Sequence, residues 1–403
     1  MPLLPFPTSL QEIEDSLRYS ADTPGTLQFS FDSALVNDFL HHPLYESGLL
    51  HWVITNWHRK SGATFSIHPA PETERELLEQ FSLSLPGRAV ALFPPGKIAS
   101  VSKQSAAQLR DRLLKSQDKW PDLAVSNSAT LFCVDEQPES LPRYLYRDRQ
   151  NSTVVSWDDF LVFLEHLLSF VIRRENLRGP FQERLDALCT ILFELFKNTD
   201  EHAKRWISDE HFSSSLRGIH TRYYSAEELR NHLEPYADTK LDPIHLYCSG
   251  LLHSEEAAKQ SRRRPFGFLG VLELTVFDSG PGLAQRWRNQ VTQELPVQDE
   301  YDAVLQCFRK GQSSVSDPGK GYGLWKVLRT LRALTGFIRV RTNRIHVYRE
   351  FHRAADYRLR REGQQVVPEE QLFDWDKALT TTVTTNAPTR GTLVSIVLPI
   401  LAP

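Results

Sequence analysis

The chain has 403 residues, 40% of them hydrophobic, with a formal charge of -3 and a pI near 6.5. That length accommodates two or three domains with a core in each, so the composition excludes a disordered chain. A near-neutral balance gives no global attraction for nucleic acid, which needs a concentrated basic face, so no specific nucleic-acid partner is expected.

The local basic runs, Arg262 to Arg264 and Arg358 to Arg361, read as solvated loop or helix faces. Cys133, Cys189, Cys248 and Cys307 stand far apart, without the short spacings of a zinc site, and read as reduced thiols. The start, Met1-Pro-Leu-Leu-Pro-Phe-Pro, lacks the basic opening and unbroken apolar run of a signal peptide. No later stretch has the length and apolarity to span a bilayer, so the expectation is a soluble cytoplasmic protein without membrane contact.

Residues 1–150 alternate strand-like and helix-like patterns and are expected to form an α/β domain of regulatory or sensing role. Strands are expected over Thr26–Phe31, Ala63–His68, Arg88–Phe93 and Ala129–Val134, and helices over Leu49–Lys60, Glu72–Phe81 and Ala106–Ser116. Residues 151–180 hold a linking helix. Ser156-Trp-Asp-Asp159 caps its start, Phe160, Leu164, Leu167, Leu168, Val171 and Ile172 carry its apolar stripe, and Gly179-Pro180 stops it. Leu161, Phe163 and Phe170 make it apolar on most faces, so either its own domain or a second subunit, as in a homodimer, must cover it.

From residue 181 onward the pattern predicts a helix over Phe181–Ala203, strands over Gly218–Tyr224 and Leu269–Phe277, and a helix over Gly323–Leu334. Strands near Phe337–Thr342 and Thr392–Leu398 follow. Polar, Arg-rich inserts at about 225–266 and 343–388 interrupt this 181–403 domain.

Three segments of that domain carry chemistry. On the first helix Glu194, Asn198 and Glu201 fall at i, i+4 and i+7 and share a face, beside an apolar arc of Leu188, Ile191, Leu192 and Leu195. Such a polar row lies at the rim of a core. The Asn198 amide oxygen can join a Mg²⁺ that keeps waters and phosphate ligands, and Glu194 can deprotonate a water attacking a γ-phosphate. Asp278 ends the apolar run Val271–Phe277, with Gly280 and Gly282 behind it. An acceptor-only carboxylate takes the exocyclic amino hydrogen of adenine and refuses the carbonyl of guanine, while the glycines let backbone approach the base. Gly319, Gly321 and Gly323 open the last helix, where amide groups can face phosphate oxygens, with Lys320 within the loop or Arg309 and Lys310 before it adding charge. Neither a P-loop run nor the Gly-x-Gly-x-x-Gly dinucleotide pattern occurs.

These segments resemble the N, G1 and G2 boxes of the GHKL (Bergerat-fold, histidine kinase-like) ATPase superfamily. Phe308–Ser314 resembles its kinase lid segment, and Gly391–Pro399 its closing strand. The motif style is closest to the ATP-binding domains of sensor histidine kinases and anti-sigma kinases. The resemblance covers about Phe181 to Pro399 and implies a two-layer α/β sandwich, a mixed sheet with helices on one face. It implies that ATP and Mg²⁺ bind, with Glu194 as general base, Asn198 as Mg²⁺ ligand and Asp278 as adenine contact, Gly280 and Gly282 shaping its pocket. Gly319, Gly321 and Gly323 then form the phosphate lid and Thr392 supports the base. Leu283 and Leu324 are either pocket wall or plain core.

The segment between the first two boxes is much longer than in ordinary sensor kinases. His166, within Glu165-His166-Leu-Leu-Ser-Phe170, lacks the acidic residue, Arg and Pro that follow a phosphoacceptor His, and reads as a helix-face residue. The expected function is Mg²⁺-dependent ATP hydrolysis driving a conformational switch toward a protein partner or neighbouring domain. The alternatives are a histidine or serine protein kinase, and a nucleotide-sensing interaction protein with little turnover.

Overall fold

The computed structural model describes residues 3–32, 43–59, 62–68, 73–93, 98–99, 101–119, 124–125, 127–135, 138–172, 184–204, 215–233, 242–260, 267–292, 294–311, 321–352, 368 and 370–401. The expected helix stop at Gly179-Pro180, both basic runs, Gly319 and Lys320 lie outside the described residues.

The chain is a mixed α/β protein. Its first part is β1 (Leu3–Pro5), α1 (Leu10–Asp22), β2 (Leu27–Asp32), α2 (Tyr45–Trp57), β3 (Ala63–His68), α3 (Glu74–Leu83), α4 (Leu85–Leu92) and α5 (Lys103–Ser116). The three strands form a small parallel sheet in the order β1-β2-β3. The expected strand at Arg88–Phe93 is instead α4. The Ser84 hydroxyl accepts the Gly87 N–H at 3.1 Å and Pro86 occupies the first turn, so a helix start overrides an apolar run whose length fits either state.

The rest comprises β4 (Ala124–Val125), β5 (Ser128–Val134), the hairpin β6 (Tyr146–Asp148) and β7 (Thr153–Val154), α6 (Trp157–Val171), α7 (Leu185–His202), β8 (Leu216–Ser225), α8 (Ala226–Leu233) and α9 (Pro243–Gln260). There follow β9 (Phe268–Asp278), α10 (Leu283–Arg288), α11 (Val297–Phe308), α12 (Gly323–Ala333), β10 (Phe337–Thr342), β11 (Ile345–Glu350), β12 (Phe373–Asp374) and β13 (Thr392–Leu401). One sheet of eight strands runs β12-β11-β10-β13-β9-β8-β5-β4, and each of its pairings is antiparallel. This corrects the expected mixed sheet; parallel pairing belongs to the small sheet. It also moves the boundary expected at residue 150, because β4 and β5 belong to the large sheet, with Leu131 opposite Ile219 of β8.

Strand alternation sorts the sheet into two faces. Leu272, Leu274 and Val276 of β9, Ile338 and Val340 of β10, and Val394, Ile396 and Leu398 of β13 point to a core shared with α6, α7, α11 and α12. The opposite face carries Arg222, Glu273, Thr275, Arg339, Arg341 and Ser395, all buried. The N-terminal layer supplies their partners. Glu273 accepts the Leu44 N–H at 2.9 Å and the Ser47 hydroxyl at 2.6 Å, Glu14 pairs with Arg341 at 2.9 Å, and Glu46 pairs with Arg222 at 2.6 Å. The sheet is therefore covered on both faces rather than on one: truncating the first layer would leave these charges without their counter-ions.

The expected cap of α6 is present, the Ser156 hydroxyl accepting the Asp159 N–H at 3.2 Å. Phe160, Phe163, Leu164, Leu167, Leu168 and Val171 bury against the chain's own core, which answers how this apolar helix is covered; Val162 and Phe170 remain on its exposed side. The first expected insert contains α8 and α9, and the second contains β11 and β12. Among the described residues no helix is long and apolar enough to cross a membrane.

Candidate functional site

The site lies over the helical face of the sheet, between α7, the ends of β9 and β13, and the start of α12. In α7, Leu188, Ile191, Leu192, Leu195 and Phe196 sink into the core, and the row Glu194, Asn198 and Glu201 is left along the rim of a cavity. The last turn of α7 is pinned from below. Asp200 accepts the Tyr146 hydroxyl at 2.6 Å and pairs with Lys204 at 2.6 Å and with the fully buried Arg217 at 3.1 Å. Arg217 also holds Asp135 through Nε at 2.8 Å, so the helix is fixed to β8.

Asp278 occupies the last position of β9, opposite both Thr392 of β13 and Arg217 of β8. Its carboxylate accepts the backbone N–H of Gly280 at 2.8 Å and that of Thr392. Burial pushes this carboxyl up to about 6, against the lowering pull of those two N–H groups, Arg217 and Arg390. At neutral pH it is an ionised acceptor at the cavity wall with lone pairs to spare. Two glycines are sterically required beside it. A Cβ on Gly280 would come within 2.9 Å of Ala203 and of Asp278 Oδ1, and Gly282, at φ 91, would bring one within 2.3 Å of Asn343 Oδ1. Asn343 and Thr342 hold the turn, donating to the Pro281 carbonyl at 2.9 Å and accepting the Leu283 N–H at 3.1 Å.

Behind this corner stands the N-terminal layer. Arg390 donates through Nε to the Ser279 carbonyl at 2.9 Å and through its backbone N–H to the Thr55 hydroxyl at 3.1 Å; its own carbonyl lies 2.8 Å from His51 Nε2. Burial and the neighbouring Arg341 lower His51 to about 3, so its ring is neutral and donates from Nε2. Helix α2 thus braces the two backbone segments that flank Asp278.

At the other wall, the Gly311 N–H donates to the Gly321 carbonyl at 2.9 Å, bringing the end of α11 to the start of α12. The start of α12 lies against the Glu194 carboxylate, since a Cβ on Gly323 would meet Glu194 Oε2 at 2.9 Å. Lys326, one turn on, reaches Glu194 Oε1 at 2.9 Å.

Glu194, Asn198, Asp278, Gly282, Leu283, Gly321, Gly323, Leu324 and Thr392 all line one cavity of about 230 Å³. Gly280 stands behind Asp278 rather than on the wall, and Leu324 serves both the wall and the core. Lys310 is not brought in: its ammonium lies over the Trp325 ring, 5.1 Å from the centroid, and Arg329 occupies the same ring at 4.9 Å. Sequence reasoning missed Lys197, His202, Arg286, Trp287 and Lys326 of the lining. Lys326 was legible in principle, because a residue three places after Gly323 shares its helix face. Cys307 also lines the cavity, but burial pushes its thiol up to about 12 and leaves it un-ionised.

Among the described residues no group of three or more His, Cys, Asp or Glu side chains is placed to hold a metal ion unaided. Asn198 lines the cavity and carries a neutral amide oxygen, a ligand type that a Mg²⁺ drawing its other ligands from water and a phosphate could use. No protein-family model, curated protein or solved structure matches this chain.

Proposed function

We propose that this cavity binds Mg²⁺-ATP and hydrolyses it in the manner of a GHKL-type domain, with the nucleotide state passed to a protein partner or to the N-terminal layer. One observation carries the reading: residues as far apart in sequence as Glu194, Asp278, Gly321 and Thr392 line the same cavity. Each has a residue type suited to a different part of the nucleotide.

In this reading Asp278 accepts the exocyclic amino hydrogen of adenine, with Thr392 beside it and Gly282, Leu283 and Leu324 as walls for the base. Backbone N–H groups at the start of α12 face the phosphates, where the helix dipole favours negative charge. Asn198 would ligate the Mg²⁺, which supplies charge neutralisation on the phosphates when bound. Glu194 orients the attacking water and takes its proton. The N-terminal layer can respond to nucleotide only if the two nucleotide states differ in the contacts they make at the corner braced by α2.

The test is a turnover assay with γ-labelled ATP and Mg²⁺ on wild type and Glu194→Ala. Wild type should release inorganic phosphate, and Glu194→Ala should retain ATP while turnover falls by roughly 10²–10⁴-fold. Unchanged turnover would remove Glu194 from the mechanism. Label transferred to protein would instead favour the kinase, and tight binding without product the nucleotide sensor.

A further inference from the structure

We propose that Lys326 is the residue by which this pocket tells a nucleoside triphosphate from a diphosphate; the inference rests on the nucleotide reading above and adds the part of the ligand that Lys326 recognises. The cavity runs along α7. Ala203, just beyond the helix end, touches the adenine corner, where a Cβ on Gly280 would meet its Cα at 2.9 Å. Glu194 lies nine residues back, about 13 Å along the axis at a rise of ~1.5 Å per residue, and Asn198 lies between. With the base at Asp278, the terminal phosphate is the part of the ligand farthest from it, directed toward Glu194.

Two negative groups then meet at that end, the terminal phosphate and the carboxylate of Glu194. Lys326 Nζ is 2.9 Å from Glu194 Oε1, and its side chain is 49% exposed while that of Glu194 is 20% exposed. An ammonium on a flexible stem at the mouth of the pocket can donate to both oxygens at once, since it carries three N–H groups. The geometry of α12 fixes it there: Gly323 brings the helix start against Glu194 Oε2, and Lys326 is one turn further on the same face. The other lysine of the lining, Lys197, is turned along α7 toward Glu201, 3.8 Å away. A diphosphate lacks the group that Lys326 would bridge, so its binding should be indifferent to this side chain.

Binding of Mg²⁺-ADP and of a non-hydrolysable Mg²⁺-ATP analogue, measured by calorimetry on wild type, Lys326→Met and Lys326→Arg, tests this. Lys326→Met should raise the Kd of the triphosphate analogue on the order of tenfold or more, the effect of one lost charge-assisted hydrogen bond. Its Kd for ADP should stay within about twofold of wild type, and Lys326→Arg should restore most of the triphosphate affinity. Equal loss for both nucleotides, or loss for neither, overturns the assignment of Lys326 while leaving the nucleotide site standing. A wild type that binds neither nucleotide overturns the reading of the site itself, and this inference with it.

Discussion

Replacing Asp278 with Asn separates the fold from the site, because the two should respond with opposite signs. Burial holds the Asp278 carboxyl at about 6 rather than 3.8. At ~1.4 kcal/mol per tenfold change in proton affinity, that difference amounts to about 3 kcal/mol carried against the ionised folded state. The folded protein binds this proton more tightly than the unfolded chain does, so the contribution is fully favourable below about 4 and is lost as pH rises through about 6. Asn has no such dependence. Replacing one carboxylate oxygen by an amide also disturbs a backbone hydrogen bond, but that loss is the same at every pH. The melting temperature of Asp278→Asn relative to wild type should therefore climb by roughly 4 °C between pH 4 and pH 8, at about 2.1 cal/mol/K per residue for the unfolding entropy. Over the same variant, affinity for ATP at pH 8 should fall roughly tenfold, since a neutral acceptor replaces a charged one. Melting curves at several pH values and a nucleotide titration at pH 8 are the assays. A relative melting temperature flat with pH, together with undiminished ATP binding, would refute both the burial argument and the adenine contact.

Two further outcomes follow from the same structure. Gly282→Ala places a side chain at φ 91 and against Asn343 Oδ1, so it should destabilise by about 1–3 kcal/mol and weaken nucleotide binding; an unchanged melt would show that the turn relaxes freely. Buried His51 and His220 are lowered to about 3 and His346 well below its usual value, first by desolvation and then by neighbouring arginines. Groups lowered in this way contribute stability above about 6.5 that disappears as pH falls below it, when the unfolded chain takes up protons that the folded one refuses. By pH 5 the unfolded chain takes up close to three protons at these histidines, offset by the one that folded Asp278 already holds, so urea unfolding between pH 6.5 and pH 5 should show a loss steepening toward about two protons net. His51→Gln should remove close to one of them; a slope that His51→Gln leaves intact would contradict its burial as a neutral ring.

Much of the site could be read along the chain because its signals are local. Glu194, Asn198 and Glu201 share a face through helix periodicity alone, and a glycine pair after an apolar strand marks where backbone must approach something closely. Lys310 is placed differently for the opposite reason: it shares one aromatic ring, Trp325, with Arg329, and nothing in sequence ranks that ring against a phosphate. Arg88–Phe93 failed because a short apolar run fits a strand or a buried helix equally well until its cap is considered.

The second face of the large sheet was decided only by tertiary structure. Arg339, Arg341 and Glu273 look like surface residues in sequence, and in the fold they are buried under α1 and α2 with Glu14, Leu44 and Ser47 as partners. Periodicity reports which residues alternate, but pairing depends on which distant segment arrives to satisfy each charge. The residue types and spacings of the chain therefore determined α2, α3, α5, α6, α7 and α12, most of the longer strands and the chemical vocabulary of its pocket, and left α1, α4 and α8 to α11 unread. Long-range packing determined that β4 and β5 join the large sheet, that α2 braces the corner around Asp278, and that Lys326 faces Glu194, since those contacts join residues far apart along the chain.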